Sequence, residues 1–464
     1  MIQYVKSRRM FVLWLLLLSF IMAIFIIFIQ ASQQQKSLPK FKEHLAYFGK
    51  NFNTLEKEHN AKINDKAVES KIMRSELKSQ LKCKNQPLQI QMVQHGDYWV
   101  MQNLIRGRRS SKMECWESIT YTTVADFTYM HHLATVVKRW MGPVSLALFA
   151  PGYDFEDAMA SIQYVRNCLP ESQLIRNYVS FHLFFHSDDL PYEKVPSTEE
   201  EALNWEYDCQ KLDEFYDNLD HNDMYMERAN LSFPINVGRN IARQAANTHF
   251  IMSSDIELYP SLDFINQFLD MAANNYNLIM NSESPSVFAL PVFELRENAT
   301  LPGNKKELMA MLKTGEAMPI YSQFGKRSFI LPEQHKWVQA HTPQKLEVLM
   351  SRKRYGHYAY WEPFFVSNNR EPIYDERLAL ETGASRRALH YAMCVLDYNY
   401  HVLHPAFLVH APGDQNYEDD DDEDEEDHGP NNEDEYDEYT EELFQQNILP
   451  NYSILYGERK SCQI

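Results

Sequence analysis

The chain has 464 residues, of which 44% are hydrophobic and 13% aromatic, enough for one large or two ordinary domains with a sizeable core. The formal net charge is −19, but 18 acidic residues and no Lys or Arg lie between Asp414 and Glu442, so the rest of the chain carries a net charge of −1. This balance excludes a uniformly acidic surface, and because no basic stripe is present we expect no nucleic-acid partner.

The first predicted element is a membrane anchor. Phe11 to Ile29 reads FVLWLLLLSFIMAIFIIFI, which is apolar apart from Ser19 and close to the roughly 20 residues that a helix needs to cross a bilayer. A cleaved signal peptide is the alternative, but its apolar region is usually shorter and ends in a small-residue cleavage site. The pattern favours an uncleaved signal anchor over residues 11–30, after a cytoplasmic tail over residues 1–10. Basic residues lie on both sides of the span, so charge alone gives this orientation only weak support.

Residues 31–82 are predicted to form a lumenal stem. This segment is polar, and its few apolar residues recur at spacings of three or four, which is typical of a helical or partly disordered spacer. The folded body is predicted over residues 83–464. Three N-x-[ST] sequons lie in it, and they support a lumenal location. They begin at Asn230, Asn298 and Asn451.

All six cysteines also follow the anchor, and none belongs to a C-x-x-C pair. An even number favours disulfides in an oxidising compartment, whereas a cysteine zinc site is disfavoured. The sequence does not determine the connectivity, but proximity along the chain suggests Cys83–Cys115 and Cys168–Cys209.

Strand-like and helix-like segments alternate through the body. Such alternation predicts α/β layers with a mostly parallel sheet. In chain order we predict a helix in FTYMHHLATVVKRW, a strand in GPVSLALFAPG, a helix in DFEDAMASIQYVRNCL, a strand in LIRNYVSFHLFF, a helix in INVGRNIARQAANT and a strand in HFIMSSDIELYP.

The acidic run over residues 414–442 interrupts the body. It cannot bury enough apolar surface to order itself, so we predict a solvated, disordered insertion, with weak calcium binding as the alternative. The last segment, LFQQNILPNYSILYGERKSCQI, is apolar enough to pack back on the body.

Two carboxylates, Asp255 and Glu257, follow the last of the predicted strands. Ligands bind at the carboxyl ends of strands in open α/β sheets, and residues two apart in an extended chain point the same way. Both carboxylates are therefore candidates for one hard cation such as Mg²⁺ or Mn²⁺. A solvated turn is the alternative. A later apolar segment, YHVLHPAFLVHAPG, predicts another strand that ends in His410 and a Pro-Gly turn. The imidazole of His410 is a ligand that suits Mn²⁺, and a structural or merely exposed histidine is the alternative.

Several separate blocks, in the same order, resemble the LARGE-type/β-1,4-glucuronyltransferase 1 family, glycosyltransferase family 49. The resemblance covers residues 142–413. The blocks are PINVGRNIARQAANTHFIMSSDIELYPS, ALPVFELRENATLPGNKKELMAMLKTGEAMPI, WEPFFVSNNREPIYDERLA and YHVLHPAFLVHAPG.

The resemblance implies a GT-A-type fold, a Rossmann-like and mostly parallel sheet with helices on both faces, and a Mn²⁺ ion that works with a UDP-sugar. It assigns Asp255 and Glu257 to the metal and diphosphate, and His410 to the metal. Arg239 and Asn240 match the Arg-Asn pair expected beside the sugar nucleotide. The metal ion and the cationic side chain of Arg239 would neutralise charge on the departing UDP.

The family inverts the anomeric centre, so a base must lie within reach of the acceptor hydroxyl. Asp375 and Glu376, in IYDER, are the candidates that the resemblance leaves, and an ion pair with Arg377 or Arg370 is the structural alternative for at least one of them. Glu362, in YWEPFF, is a weaker candidate for the base. Its neighbour Trp361 is either a ring that stacks on a sugar face or an ordinary core residue.

The sequence departs from the family pattern in two places. Asp-Ile-Glu replaces the usual Asp-x-Asp, and LALETGASRRALHY replaces a Gly-Tyr-Gly-aromatic-Asn-Lys turn. The resemblance still implies transfer of glucuronic acid from UDP-glucuronic acid to a terminal xylose of an O-mannosyl-type glycan on a glycoprotein. Cations for the sugar carboxylate are available at Arg243, Arg386 and Arg387.

Together, anchor and resemblance imply a single-pass type II protein of the Golgi membrane, alone, as a homodimer or in a complex with another transferase. Two alternatives stay open. One is a family member that uses another UDP-sugar or acceptor. The other is a non-catalytic relative that acts as a binding or chaperone-like protein.

Overall fold

The computed structural model describes residues 75–211, 221–275, 284–320, 329–379, 385–410 and 440–463. In these ranges no helix is long and apolar enough to span a membrane, and the predicted anchor, most of the predicted stem and most of the acidic insertion lie outside them. Residues 75–81 are helical, and Leu77 and Leu81 are buried in the main core. The core therefore includes residues upstream of the expected start at Cys83.

The body of the protein is built from short strands and helices. The strands are β1 (Gln91–His95), β2 (Tyr98–Ile105), β3 (Ile119–Ala125), β4 (Val144–Phe149), β5 (Val179–His186), β6 (Phe250–Ser253), β7 (Leu258–Pro260), β8 (Ser286–Leu290), β9 (Val292–Leu295), β10 (Ala317–Pro319), β11 (Glu347–Arg352), β12 (Phe364–Ser367), β13 (Asn399–His404) and β14 (Leu408–His410). The α-helices are α1 (His132–Trp140), α2 (Asp154–Asn167), α3 (Ser172–Tyr178), α4 (Glu199–Leu203), α5 (Tyr225–Arg228), α6 (Ile235–Gln244), α7 (Phe264–Asn274), α8 (Lys305–Thr314), α9 (Gln334–Gln339), α10 (Arg387–Val395) and α11 (Leu449–Tyr456).

Within the described residues, the largest sheet has ten strands in the order β1-β2-β5-β4-β3-β6-β12-β8-β13-β11. Its centre, β5-β4-β3-β6, is parallel, and β8 and β13 are also parallel to each other. The other five neighbouring pairs are antiparallel, so the expectation of a mostly parallel sheet is wrong. The reason is topological: the β1–β2 hairpin adds one edge, β11 adds the other, and β12 inserts antiparallel between β6 and β8.

Both faces of the parallel centre are covered by helices, as expected. In β4, Val144, Leu146 and Leu148 belong to the main core, whereas Ala147 and Phe149 belong to a second cluster that includes the apolar residues of α6. This alternation follows from the two-residue period of a strand. It explains why β4 reads as a continuous apolar run, since each face meets its own helices.

Two segments fold differently from the sequence-based expectation. The strand predicted over residues 174–185 begins only at Val179, because residues 172–178 form α3 and deliver the chain to the sheet. The single strand predicted over YHVLHPAFLVHAPG is two strands, β13 and β14, separated at Pro405, whose ring cannot donate to a ladder. β14 pairs in a four-stranded sheet of order β10-β9-β14-β7.

Helix α8 shows how local sequence sets its own bounds. Asn304 caps its start by accepting from the Glu307 N–H at 3.1 Å, and the Glu307 carboxylate accepts from the Gly303 N–H at 2.6 Å. The helix ends at Gly315, whose φ of 77° is the left-handed conformation that favours glycine.

The cysteines form three disulfides. Both expected pairs, Cys83–Cys115 and Cys168–Cys209, are confirmed, and Cys394–Cys462 is the third. The asparagines of all three sequons are exposed. The C-terminal segment packs back on the body, as predicted, through a small cluster of Phe444, Ile448 and Tyr452 with Leu378, Ala388 and Ala392.

Candidate active site

The site begins at a turn that follows β6. The N–H of Leu258 donates to the carbonyl oxygen of Asp255 at 3.0 Å, and the buried Tyr121 hydroxyl donates to the same oxygen at 2.6 Å. Asp255 and Glu257 therefore do not share one side of an extended strand, as the spacing suggested. The turn sends the two carboxylates to different partners, while both remain at the carboxyl edge of β3, β4, β5 and β6.

Asp255 is held by two arginines from distant parts of the chain. Its Oδ1 atom accepts from Arg239 at 2.9 Å and from Arg386 at 2.8 Å. Both guanidinium groups are buried, whereas the Asp255 side chain is 36% exposed. We call Arg239 and Arg386 the arginine clamp. Because the clamp supplies two positive charges against one negative charge, this part of the site has an excess of positive charge.

The electrostatics of Asp255 follow from the clamp. Burial alone would raise the pKa of its carboxyl group, but the charges of Arg386 and Arg239 outweigh burial and lower the pKa to about 2. The clamp itself is rigidly placed, since the Arg386 guanidinium lies 3.9 Å from the ring centre of Phe364 and that of Arg239 lies 5.3 Å from Tyr374. Asp255 is therefore ionised throughout the physiological range.

Glu257 meets His410 through strand pairing. Leu258 in β7 is opposite His410 in β14, and this register brings the neighbouring Glu257 Oε2 to 3.1 Å from His410 Nε2. Burial lowers the pKa of His410, but the hydrogen bond and charge of Glu257 outweigh burial, so the net pKa is raised. The sequence placed these residues 153 positions apart, and the second sheet brings them together.

Carboxylate oxygens with an imidazole nitrogen form a donor set that suits Mn²⁺. Glu257 and His410 provide one of each at contact distance, and His410 Nδ1 is buried without a hydrogen-bond partner. Asp255 instead accepts from the arginine clamp. In the described parts of the chain, no three His, Cys, Asp or Glu side chains come close enough to form a metal cluster. Glu257 and His410 are therefore the two candidate ligands that the fold brings together, whereas the Asp255 carboxylate is directed to the arginine clamp.

One polar face of α6 organises the site. Four of its residues, spaced three or four apart, bind the loop that follows β12. Asn236 donates to the carbonyl oxygens of Asp375 and Ser385, and Asn240 exchanges hydrogen bonds with the backbone of Tyr374. The four residues are Asn236, Arg239, Asn240 and Arg243.

The two candidate bases have different surroundings. Asp375 is 8% exposed, and both of its carboxylate oxygens accept from Arg377, at 2.8 and 2.6 Å, which is the structural alternative proposed for one of them. Glu376 is 30% exposed, and its Oε1 atom lies 2.6 Å from His95 Nε2 and accepts from Asn240 at 2.7 Å. Glu376 is thus the carboxylate of IYDER that stays open to a ligand.

Comparison with known proteins identifies the family. The family model described as "Glycosyl-transferase for dystroglycan" matches residues 118–457, a range that includes Asp255, Glu257, His410 and the arginine clamp. The chain belongs to this family. It is 29% identical over 337 residues to β-1,4-glucuronyltransferase 1 of Danio rerio, with 68% of this chain and 72% of the relative covered.

Two further relatives agree with the assignment. The human β-1,4-glucuronyltransferase 1 is 25% identical over 320 residues, with 68% of this chain and 72% of the relative covered. The human xylosyl- and glucuronyltransferase LARGE1 is 24% identical over 300 residues, which cover 64% of this chain and 32% of that protein. The chain is therefore a glycosyltransferase, and its mixed α/β sheet is consistent with a GT-A-like enzyme of this family.

Four other residues that the sequence suggested for the site belong to the core or to ion pairs instead. Trp361 is 3% exposed and packs in the main core, and Glu362 is 7% exposed and lies 3.7 Å from Arg354. Arg243 is buried in an ion pair with Glu371 at 2.7 Å, and Arg387 contacts Glu441 and Phe444. Among the three arginines proposed to bind a sugar carboxylate, Arg386 is the one placed at the site.

The sequence did not predict two histidines, His131 and His132, that lie near Glu257. The ring centres of His131 and His132 lie 3.9 Å apart, and His132 Nδ1 lies 2.7 Å from the Tyr259 hydroxyl. Burial, with the charge of His131, lowers the pKa of His132 to about 4, against the opposing charge of Glu257. Two histidines at the start of an amphipathic helix carry no spacing signal, so only the fold reveals them. His95, at the end of β1, also lacks a sequence signal, because its contact with Glu376 joins residues 281 positions apart.

Proposed function

We propose that this glycosyltransferase inverts the anomeric centre and moves glucuronic acid from UDP-glucuronic acid to a terminal xylose of an O-mannosyl-type glycan on a glycoprotein. The observation that supports the donor is the excess positive charge at Asp255, where two buried guanidinium groups face one carboxylate. A diphosphate and a hexuronate are both anions, and a site with net positive charge favours them. The names of the relatives support the sugar.

The arginine clamp would act on the leaving group. Arg239 and Arg386 are already ordered and desolvated, so they can stabilise charge on the departing UDP with little reorganisation. Arg386 is also the candidate for the donor's sugar carboxylate. Glu257 and His410 would hold Mn²⁺, which supplies a Lewis acid for the diphosphate oxygens when bound. Asp255 would orient the clamp, since both guanidinium groups donate to its Oδ1 atom.

Glu376 is the base that we assign to the acceptor. The xylose hydroxyl oxygen attacks C1 of glucuronic acid, the C1–O bond to UDP breaks with its electron pair leaving on UDP, and the hydroxyl proton passes to Glu376. Asn240 and His95 hold this carboxylate in place. Asp375 is less suited, because both of its oxygens are engaged by Arg377.

We also propose that the enzyme works in the Golgi lumen as a single-pass type II membrane protein. Three disulfides and three exposed sequon asparagines support an oxidising, glycosylating compartment. The apolar run at residues 11–29 supports the anchor.

The test is a donor screen with the full-length protein in detergent. Methyl β-xyloside would be incubated with UDP-glucuronic acid, UDP-xylose, UDP-galactose or UDP-N-acetylglucosamine, each with Mn²⁺ or with a chelator, and products would be identified by mass spectrometry. We expect product only from UDP-glucuronic acid, and only in the presence of Mn²⁺. Efficient use of another donor would support the alternative family activity, and UDP binding without turnover would support the non-catalytic one.

Single variants separate the roles within that assay. His410→Ala should abolish Mn²⁺-dependent transfer, whereas His335→Ala, at an exposed position on α9, should leave transfer at the wild-type rate. Full metal-dependent activity in His410→Ala would show that the metal assignment is wrong. Arg386→Lys should reduce the rate of transfer from UDP-glucuronic acid more than it weakens the binding of UDP. The reason is that lysine cannot form the two parallel N–H contacts that a guanidinium group makes with a carboxylate.

A further inference from the structure

Three tyrosines form a second feature at the same edge of the sheet. The ring centres of Tyr153 and Tyr225 lie 5.3 Å apart, those of Tyr192 and Tyr225 5.9 Å, and those of Tyr153 and Tyr192 6.0 Å, all edge to face. Tyr192 is 71% exposed, and the other two are half-buried. We call these three residues the tyrosine platform. The transfer step proposed above does not use these rings.

The platform is held in place by the fold. Gly152, after β4, has a φ of +51°, and a Cβ atom there would lie 2.4–2.6 Å from atoms of the Tyr225 ring. The buried Asp154 accepts from the backbone N–H groups of Tyr225 and Met226 at 2.7 and 3.1 Å, and the Tyr225 hydroxyl donates to Asp189 at 3.0 Å. A close backbone approach and a buried carboxylate are therefore both used to fix one ring.

Position relates the platform to the candidate active site. Tyr153 follows the carboxyl end of β4, and Tyr192 follows that of β5, in a sheet where β4, β3 and β6 are parallel neighbours. Asp255 follows β6 at this same edge. Neighbouring strands are about 4.8 Å apart, so β5 lies roughly 14 Å from β6 along the edge. That span corresponds to a few sugar units rather than to one.

The charge around the platform indicates the class of ligand. Asp188 has a side chain that is 90% exposed, Asp189 contacts Tyr225, and the carbonyl oxygen of Asp223 accepts from the Tyr153 hydroxyl. Arg228 is paired with Asp223. Exposed carboxylates repel a diphosphate, but they accept hydrogen bonds from sugar hydroxyl groups, and aromatic faces bind the apolar faces of pyranose rings.

The geometry points to the tyrosine platform as a subsite for the neutral inner sugars of the acceptor glycan, with the reacting terminal sugar at the candidate active site. This inference rests on the proposed function, since it presumes a glycan acceptor. It adds a reason for the enzyme to prefer an extended acceptor over a single sugar.

The experiment compares acceptor lengths in the full-length enzyme. KM would be measured for a neutral trisaccharide ending in xylose and for methyl β-xyloside, in the wild type, in Tyr192→Ala and in Tyr355→Ala. Tyr355 is a matched control, because it is 48% exposed and follows β11, which runs antiparallel to β13 and ends at the opposite edge of the sheet. Loss of one stacking ring should reduce the preference for the trisaccharide about fivefold.

The expected pattern is a reduced length preference in Tyr192→Ala, an unchanged preference in Tyr355→Ala, and a wild-type Kd for UDP in both. An unchanged preference in Tyr192→Ala would overturn the inference, as would a wild type that does not prefer the trisaccharide. A weaker Kd for UDP in Tyr192→Ala would also overturn it, because the platform would then bind the nucleotide. If the wild type transfers no glucuronic acid, saturation-transfer NMR with the trisaccharide still decides: signal lost in Tyr192→Ala supports the subsite, and signal kept contradicts it.

Discussion

Asp255 and Asp375 are both carboxylates bound by arginine, yet their surroundings differ in charge balance. Asp375 is bound by Arg377, two residues further along the chain, so one negative charge meets one positive charge. Asp255 is bound by Arg239 and Arg386, which are far apart in sequence, so one negative charge meets two. The Asp375 side chain is 6% exposed, whereas the Asp255 side chain is 36% exposed.

The difference shows how a structural carboxylate can be told from a ligand-binding one. A balanced, buried pair needs no further partner and stabilises the local fold. An unbalanced and partly exposed group leaves positive charge that an anion can neutralise, and such imbalance is tolerated where a ligand completes it. Both arginines of the clamp have a buried Nε atom without a partner among the described residues, which fits an arrangement that is not complete by itself.

The largest expected effect tests the unbalanced site. Asp255→Asn keeps the shape and one acceptor oxygen but removes the charge that aligns the arginine clamp. We expect kcat/KM for glucuronyl transfer to fall about a thousandfold, the order seen when a preorganised electrostatic group is lost. Initial rates from coupled UDP release measure it.

Asp263→Asn is the control for that measurement. Asp263 is exposed and lies at the start of α7 with a positive φ of 58°, a conformation that asparagine accepts. Its variant should retain wild-type kcat/KM. Equal activity in Asp255→Asn and the wild type would show that the unbalanced charge at Asp255 does not mark the active site.

A smaller effect is expected at the balanced pair, and on stability rather than on rate. Asp375→Asn breaks the contacts with Arg377, which is 37% exposed and can recover hydration, so we expect a loss of about 1–2 kcal/mol in unfolding free energy. Urea titration measures it. Glu376→Gln should show the reverse, with a large loss of kcat and little change in stability. A large fall in kcat with full stability in Asp375→Asn would make Asp375 the base.

Much of the fold was predictable because single strands and helices leave local signals. The apolar run of β4 and the amphipathic pattern of α2 each identified an element within a few residues. Residues 174–178 were assigned to a strand, because LIRNY is too short to show a helical period before a strand begins. The antiparallel insertion of β12 has no local signal, since strand direction is set by the path of the whole chain.

The site was predictable where one residue type implied one chemistry. Asp255, Glu257 and His410 were singled out from strand ends, and the fold places them together at one edge. What the sequence did not show is which partner each one takes. The pairing of Asp255 with Arg386 spans 131 positions, and the contact of Glu376 with His95 spans 281, so neither has a spacing that could reveal it.

His182, unlike Asp255 and Asp375, is a buried titratable group that is held by neutral partners alone. His182 in β5 is fully buried; its Nδ1 accepts from the Asn103 N–H at 2.8 Å, and its Nε2 lies 2.8 Å from the Ser145 hydroxyl. Burial lowers its pKa to about 3. Below pH 6.5 the unfolded chain binds a proton at this residue that the native state does not, so stability falls as the pH drops from about 6.5 towards 3.

This single group should contribute a slope of up to about 1.4 kcal/mol per pH unit in that window. Urea unfolding at several pH values measures the slope. His182→Gln keeps a neutral hydrogen-bonding side chain but does not titrate, so it should be less stable at pH 7 and show a slope smaller by close to one proton. An identical slope in the variant and the wild type would mean that His182 is already protonated in the native state, which the hydrogen bond from Asn103 to its Nδ1 atom opposes.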